Sequence, residues 1–214
     1  EFLFQNNYSY VSSTSTGFVK HLQTYSDIIT KRINLTEKSF IIDIGSNDGT
    51  CLNFFKQKNM QVLGVDPAEE VTQIANNNGI ETLNEFFNKD IAERIRTEYG
   101  HADLITSHNA CAHIDDLRGV IDGVDVLMND ASIFVMEVGY FLDVFQNKWF
   151  DTIYHEHVDF HTVAPLKGLF KSYGMEIFDV ERIEPQGGSI RVMVQRENGQ
   201  FPIEDNVDKL IELE

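Results

Sequence analysis

Four residues with reactive side chains stand together at Tyr154, His155, Glu156 and His157. The ordinary pKa of histidine lies near neutral pH, so an imidazole can remove a proton from a carbon next to a ketone. A neighbouring carboxylate can orient the imidazole, and a phenol can hydrogen-bond to the enolate that forms. The segment therefore contains the groups needed to convert a ketone into a carbon nucleophile.

Two other interpretations of this segment stay open. In an extended chain His155 and His157 point the same way, so with Glu156 or His161 they could bind a metal ion. The spacing fixes no third ligand on that face, and we assign no metal. The same residues could also form a purely structural polar network.

A second reactive region is the turn of residues 43–49 (Asp-Ile-Gly-Ser-Asn-Asp-Gly). Gly45 permits a tight turn and close approach of a ligand, while Asp66, after the next strand, can accept both hydroxyls of a ribose. A dinucleotide site would have glycine in place of Asn47. The loop thus favours a nucleoside with a cationic sulfonium and an amino-acid tail, contacted by Asp43, Gly45, Asn47 and Asp66.

Further candidates lie beyond these motifs. Pro67 suits the first turn of the helix after Asp66, and we include it among the residues that contact the nucleoside. Asn109, after the fourth strand, is expected at the rim of the nucleoside site, although it could simply cap a loop. Gly188, Ser189 and Arg191 could contact a diphosphate through backbone NH groups and a guanidinium, or could form an ordinary hairpin turn.

Strands alternate with helices along the chain, and this order positions the motifs. The predicted strands are residues 40–44, 62–65, 80–83, 102–107 and 132–138. One predicted helix begins at Thr50, and three others span residues 69–78, 91–99 and 115–128. Such alternation predicts an α/β fold with a mainly parallel sheet flanked by helices on both faces.

The two ends of the chain differ from this alternating region. An N-terminal helix is expected from apolar residues at helical spacing, namely Phe18, Leu22, Tyr25 and Ile29. After a helix at residues 163–173, the runs 175–183 and 189–194 predict a closing antiparallel hairpin. We divide the chain into an N-terminal aromatic segment and helix (1–36), a ligand-binding domain (37–195) and the start of a truncated C-terminal region (196–214).

The composition restricts the partners of this 214-residue chain. Its formal net charge of −17 argues against nucleic acid, because no basic stripe could neutralise phosphates. No apolar run reaches the roughly 18–20 residues of a membrane span. Only two cysteines, Cys51 and Cys111, are present, which argues against a disulfide framework and a Cys-based zinc site and favours a reducing, cytoplasmic location.

Four motifs together resemble the sugar C-methyltransferases of deoxysugar biosynthesis over nearly the whole chain. They are residues 8–13 (Tyr-Ser-Tyr-Val-Ser-Ser), 43–49, 150–157 (Phe-Asp-Thr-Ile-Tyr-His-Glu-His) and 187–191 (Gly-Gly-Ser-Ile-Arg). The resemblance implies a Rossmann-like class I methyltransferase fold, S-adenosylmethionine as cofactor and a nucleotide-diphosphate-linked keto-deoxysugar as substrate.

The resemblance also implies roles for individual residues. His157 is expected to be the general base, Tyr154 and Glu156 to assist it, and Tyr8 or Tyr10 to lie near the sugar. We add His155 to the substrate contacts. Full-length members of the family are expected to carry an N-terminal zinc-binding domain and an extra C-terminal domain, which these 214 residues do not include. Gln186 stands where histidine is expected before the Gly-Gly-Ser of residues 187–189.

Two rival functions remain at this point. An NAD-dependent nucleotide-sugar oxidoreductase shares the α/β order but would need the missing glycine of the first loop. A non-catalytic module that holds a nucleotide-sugar is the other. The sequence leaves the particular sugar, the methylated carbon and the oligomeric state open.

Overall fold

A computed structural model describes residues 10–184 and 187–214 of the chain. Its centre is a seven-stranded sheet with the order β3-β2-β1-β4-β5-β7-β6. The strands are β1 (Phe40–Ile44), β2 (Gln61–Val65), β3 (Thr82–Leu83), β4 (Leu104–His108), β5 (Ile133–Gly139), β6 (Met175–Ile183) and β7 (Ser189–Arg196). The first five pair in parallel, whereas β7 runs antiparallel to both β5 and β6. The predicted fold class, a mainly parallel sheet with an antiparallel C-terminal hairpin, is confirmed.

Helices cover both faces of this sheet. They are α1 (Thr16–Arg32), α2 (Thr50–Lys56), α3 (Glu69–Asn77), α4 (Lys89–Tyr99), α5 (Leu117–Leu127), α6 (Phe141–Asn147), α7 (Val163–Lys171) and α8 (Asp205–Leu213). One apolar core lies between the sheet and α4, α5, α7 and α8, and a second between the sheet and α1, α2 and α3. Strands covered on both faces bury every side chain, as β1 does, so they read as continuous apolar runs.

The helix ends follow from local chemistry. The Ser15 side chain accepts a hydrogen bond from the backbone NH of Phe18 and begins α1, as Asn88 does for α4. Gly79 and Gly100 lie beyond the ends of α3 and α4 with positive φ, a conformation that favours glycine. The predicted helix with Leu22, Tyr25 and Ile29 on its buried face is confirmed as α1.

Several boundaries differ from the predicted ones. The third strand is confined to Thr82–Leu83. Ile80, predicted to begin it, instead belongs to the turn after α3, where its NH donates a hydrogen bond to the carbonyl of Ala75. Pro67 lies before the helix cap Ala68 rather than in the first turn of α3. Helix α6 was not predicted from the sequence, because its seven residues are too few to show a helical pattern of apolar positions.

The C-terminal residues pack onto the domain. Helix α8 contacts β6, and Val207 is fully buried in the first core. The Glu214 carboxylate accepts hydrogen bonds from the backbone NH groups of Val163 and Ala164 at the start of α7 (2.6 and 2.9 Å). Within the described residues, no helix combines the length and apolar character needed to cross a bilayer.

Candidate active site

The turn after β1 is held to the end of β2 by its backbone. The NH of Gly45 bonds to the carbonyl of Val65 (2.9 Å), and the NH of Asn47 bonds to a carboxylate oxygen of Asp66 (2.8 Å). Gly45 has φ of 72°, and a Cβ there would lie 2.4 Å from the Cβ of Ala110. Both the conformation and the close approach therefore require glycine at position 45.

Unpartnered polar atoms gather at this edge of the sheet. Among the described residues, six side chains each have a buried polar atom without a hydrogen-bond partner, and four of them lie beside this turn. The four are Asp43, Ser46, His108 and Asn109. Since buried polar atoms are normally paired, these acceptors and donors are the expected lining of a polar ligand site. Those of Asp43, Ser46 and Asn109 fit the amino-acid tail and ribose of a nucleoside ligand.

Asp43 is the carboxylate most affected by this environment. It is buried at the end of β1, and burial raises its pKa to about 7, with nearby His108 lowering it and Asp66 raising it further. A carboxyl that exchanges its proton near neutral pH can accept a hydrogen bond from a cationic amine and become fully ionised on binding it.

Asp66 is partly used by the protein itself. One of its oxygens accepts from the NH of Ala68 (2.9 Å) and the other from the NH of Asn47 (2.8 Å). A carboxylate can accept about four hydrogen bonds, so capacity remains for ribose hydroxyls. Burial raises its pKa, although these two NH groups act in the opposite direction. Pro67 is half-buried next to it.

The side chain of Asn47 joins the turn to the N-terminal segment. Its oxygen accepts from the NH of Ser12 (2.8 Å), and its amide donates to the carbonyl of Tyr10 (3.0 Å). The carboxylate of Asp48 accepts from the NH of Ser13 (3.0 Å). Tyr10, predicted to lie near the substrate, is thereby placed beside the predicted cofactor loop. Tyr8 lies outside the described residues.

His157 has a defined tautomer in the structure. Its Nδ1 donates to the carbonyl of Thr152 (2.8 Å), and its Nε2 lies 3.2 Å from the hydroxyl of Tyr154. A neutral imidazole with a proton on Nδ1 carries its basic lone pair on Nε2. Burial, and then Glu156, raise the pKa of Tyr154, so the phenol stays protonated and can donate. The pair has the geometry of a base beside a hydrogen-bond donor.

The side chains of Glu156 and His155 are held less closely by their neighbours than the sequence predicts. The carboxylate of Glu156 lies 3.9 Å from Nε2 of His155, whose side chain is 72% exposed. The Thr152 carbonyl, rather than the Glu156 carboxylate, orients His157. His161 is buried apart from this pair, so the described residues form no metal-ligand group here.

The structure adds His113, which the sequence analysis does not single out. Its Nδ1 donates to the carbonyl of Glu156 (2.8 Å), and its ring lies 4.9 Å from that of His157. Burial, and then the proximity of His157, lower the pKa of His113, whereas the bond to Glu156 acts the other way. Its position four residues beyond Asn109, in the loop after a strand end, was the available signal.

The loop after β4 connects the two halves of the site. The carbonyl of Ala112 accepts from the NH groups of Val158 and Asp159 (3.0 and 3.3 Å). The segment that carries His157 is therefore tied to the loop that begins with Asn109 at the end of β4. The predicted base and the predicted cofactor turn consequently belong to one edge of the sheet, as parallel strands require.

The glycine segment before β7 has a structural role. A Cβ on Gly188 would lie 2.6 Å from the carboxylate of Asp143, and one on Gly187 would contact Trp149 at 3.2 Å. Ser189 is fully buried. Arg191 is inside the sheet, where it pairs with Glu137 (2.6 Å) and Glu181 (2.9 Å). We therefore assign Arg191 to holding Glu137 rather than to a diphosphate.

Comparison with known proteins gives a family match. Residues 18–180 match the family described as methyltransferase domain. The chain is 36% identical over 186 residues to the C-methyltransferase NovU of Streptomyces niveus, covering 87% of this chain and 44% of the relative. The chain thus spans less than half the length of this relative.

Solved structures show the same fold at low identity. The PH0226 protein of Pyrococcus horikoshii superposes with a TM-score of 0.69 at 13% identity, covering 88% of this chain and 95% of the other. Magnesium protoporphyrin IX methyltransferase (ChlM) of Synechocystis, with bound SAH, gives 0.63 at 14% identity and 84% coverage of both chains. The neighbours include class I methyltransferases, in agreement with the fold predicted from the sequence.

Proposed function

Because the chain belongs to the methyltransferase domain family, we propose that it methylates a carbon atom of a nucleotide-diphosphate-linked keto-deoxysugar with S-adenosylmethionine as methyl donor. The family confirms the predicted enzyme class, a methyltransferase, and agrees with the predicted cofactor. The similarity to a C-methyltransferase supports carbon as the methylated atom.

The observation that carries the proposal is the pairing of His157 with Tyr154. Methylation of an amine or hydroxyl needs little more than an aligned acceptor, whereas methylation of a carbon requires a carbanion equivalent. Nε2 of a neutral imidazole can remove a proton from carbon. The phenol, 3.2 Å away, can stabilise the resulting enolate by donating a hydrogen bond to its oxygen. Such a pair favours a ketone substrate.

The protein's own groups then have separate tasks. The substrate takes the Tyr154 hydroxyl away from Nε2, so that Tyr154 donates to the ketone oxygen and Nε2 meets the proton on the adjacent carbon. His157 accepts that proton, and the electrons of the C–H bond become the enolate. The Thr152 carbonyl stabilises the imidazolium through Nδ1–H. When bound, S-adenosylmethionine supplies an electrophilic methyl group to the nucleophilic carbon.

The edge of the sheet supplies the cofactor contacts in this proposal. Asp43 and Asn109 present an unpartnered acceptor and donor for the amino-acid tail, and Asp66 has capacity for ribose hydroxyls. Gly45 keeps the turn open to the ligand. Tyr10 and His155 remain proposed sugar contacts, and Gly188 contributes through the shape of its loop.

We also propose a cytoplasmic location and no nucleic-acid partner. Both cysteines are free and buried, which suits a reducing compartment. The excess of 34 acidic over 17 basic residues disfavours phosphate-rich polymers.

Calorimetric titration tests the cofactor. We expect micromolar binding of S-adenosylmethionine or its demethylated product, and no heat from NAD at the same concentrations. Binding of NAD in preference to the sulfonium would instead indicate the oxidoreductase.

Deuterium exchange tests the base independently of methyl transfer. In deuterated water without the methyl donor, the chain should exchange the proton next to the ketone of a nucleotide-diphosphate keto-deoxysugar. His157→Gln should slow this exchange about 10²–10⁴-fold and leave cofactor affinity unchanged. His101→Gln is the matched control, since His101 lies before β4 at the opposite sheet edge. Exchange at the wild-type rate in His157→Gln would show that another group is the base.

A further inference from the structure

Three ionisable side chains meet beneath helix α1, apart from the proposed base. Nε2 of His21, from α1, lies 2.7 Å from Oε2 of Glu137 on β5. Nδ1 of His108, at the end of β4, lies 3.0 Å from the same oxygen. All three ligand atoms fall within 4.8 Å of one another, and we refer to them as the His21–His108–Glu137 cluster.

The carboxylate of this cluster is surrounded by basic side chains. Glu137 is fully buried, and His21, His108 and Arg191 lie against its two oxygens. Arg191 donates from Nε to Oε1, on the side away from the histidines (2.6 Å). Oε2 is therefore the carboxylate oxygen that two imidazole nitrogens approach together.

The nitrogen of His108 is close to this oxygen without forming a hydrogen bond. Its side chain is 5% exposed, and Nδ1 has no hydrogen-bond partner despite the 3.0 Å separation. The nitrogen is thus not aimed along the line to Oε2. On its other side, Nε2 lies 3.0 Å from the hydroxyl of Thr106, which in turn lies 2.8 Å from that of Tyr25.

We propose that the His21–His108–Glu137 cluster binds a divalent transition metal ion, with Zn²⁺ as the best match. Two imidazoles and one carboxylate are a recognised zinc ligand set that leaves a fourth position for water. An ion between the three atoms gives the misaligned nitrogen of His108 a partner and links it to Oε2 of Glu137.

Both nitrogen–oxygen distances would lengthen on binding zinc. Tetrahedral zinc with bonds of about 2.0–2.1 Å separates its ligand atoms by about 3.3 Å, which is about 0.3 Å more than the His108–Glu137 distance and about 0.6 Å more than the His21–Glu137 distance. His21 can supply this movement, because its side chain is 16% exposed at the outer side of the cluster. The ion would link α1 to the ends of β4 and β5.

The surroundings provide the outer contacts that ligands of a metal need. With the metal on Nδ1, the Nε2–H of His108 donates to Thr106, which fixes the ring. Arg191 holds the second oxygen of Glu137. Such outer contacts orient the ligands and commonly change metal affinity about 10–100-fold.

Cobalt spectroscopy tests the proposal without reference to catalysis. The chain is freed of metal with a chelator and titrated with Co²⁺, which gives intense visible bands when four-coordinate. We expect saturation at one equivalent and loss of the bands on addition of Zn²⁺. His21→Gln preserves a hydrogen bond to Glu137 but removes a ligand, so affinity should fall at least about 100-fold.

Two comparisons make the result decisive. His101→Gln should bind Co²⁺ like the wild type, and circular dichroism should show that His21→Gln is folded. His108→Asn, as a second variant, should also lose the bands. Absence of intense bands in the wild type, or their persistence in both cluster variants, overturns the proposal. Bands that disappear in His157→Gln but not in His21→Gln would place the ion at the His113–His157 pair instead.

Discussion

At the scale of single residues, burial controls the charge of Asp43. The pKa of this carboxyl is raised from an ordinary 3.8 to about 7, mainly by burial. Between these values the folded protein holds a proton that the unfolded chain has released. Stability therefore decreases as pH rises from about 4 to about 7, and the loss is complete above that window.

Asp43→Asn should remove this dependence. We expect the difference in free energy of unfolding between the variant and the wild type to increase by a few kcal/mol in favour of the variant as the pH is raised from about 4 to about 8. Urea denaturation at several pH values measures the difference. Asp205→Asn, at a side chain that is 89% exposed, is the control and should not change the pH profile. A gain independent of pH would show that Asp43 titrates normally.

The contacts of reactive residues differ in whether the sequence alone can predict them. Tyr154 and His157 are three positions apart, so their contact follows from a local turn. Glu137 meets His21 across 116 positions of sequence and Arg191 across 54. No local pattern indicates such partners. For this reason the sequence suggests that Arg191 contacts a diphosphate, whereas in the structure Arg191 pairs with glutamates inside the sheet.

At the scale of elements, two glycines illustrate opposite requirements. Gly45 has positive φ and no room for a Cβ beside Ala110, whereas nothing lies within 4 Å of a Cβ on Gly168 in α7. Gly45→Ala should lower the free energy of unfolding by about 1–3 kcal/mol. Gly168→Ala should raise it by about 0.5–1 kcal/mol, because alanine favours a helix.

Chemical denaturation of both variants tests this contrast. Gly45→Ala should additionally weaken binding of S-adenosylmethionine, while Gly168→Ala should bind it like the wild type. Equal stabilities for the two variants would mean that the turn after β1 can rearrange at no cost.

At the scale of the whole molecule, charge is unbalanced. A net charge of −17 on 214 residues produces self-repulsion that opposes the compact state. Raising NaCl from about 10 to about 200 mM shortens the screening length from about 30 Å to below 10 Å. We therefore expect the thermal unfolding midpoint to rise by a few degrees.

Sucrose at matched osmolarity provides the control, because it stabilises proteins without screening charges. A midpoint that falls with NaCl would show that ion pairs such as Arg191–Glu137 outweigh the general repulsion.

The fold class, the order of most elements, the turn around Gly45 and the Tyr154–His157 segment were predictable from the sequence alone. Each of them depends on a short stretch of chain, either alternating apolar runs or adjacent reactive residues. Three further features became known from the folded structure: β7 lies between β5 and β6, His113 faces His157, and His21, His108 and Glu137 meet. Strand order and the packing of α1 bring together residues that are far apart in sequence, and local periodicity carries no information about such contacts.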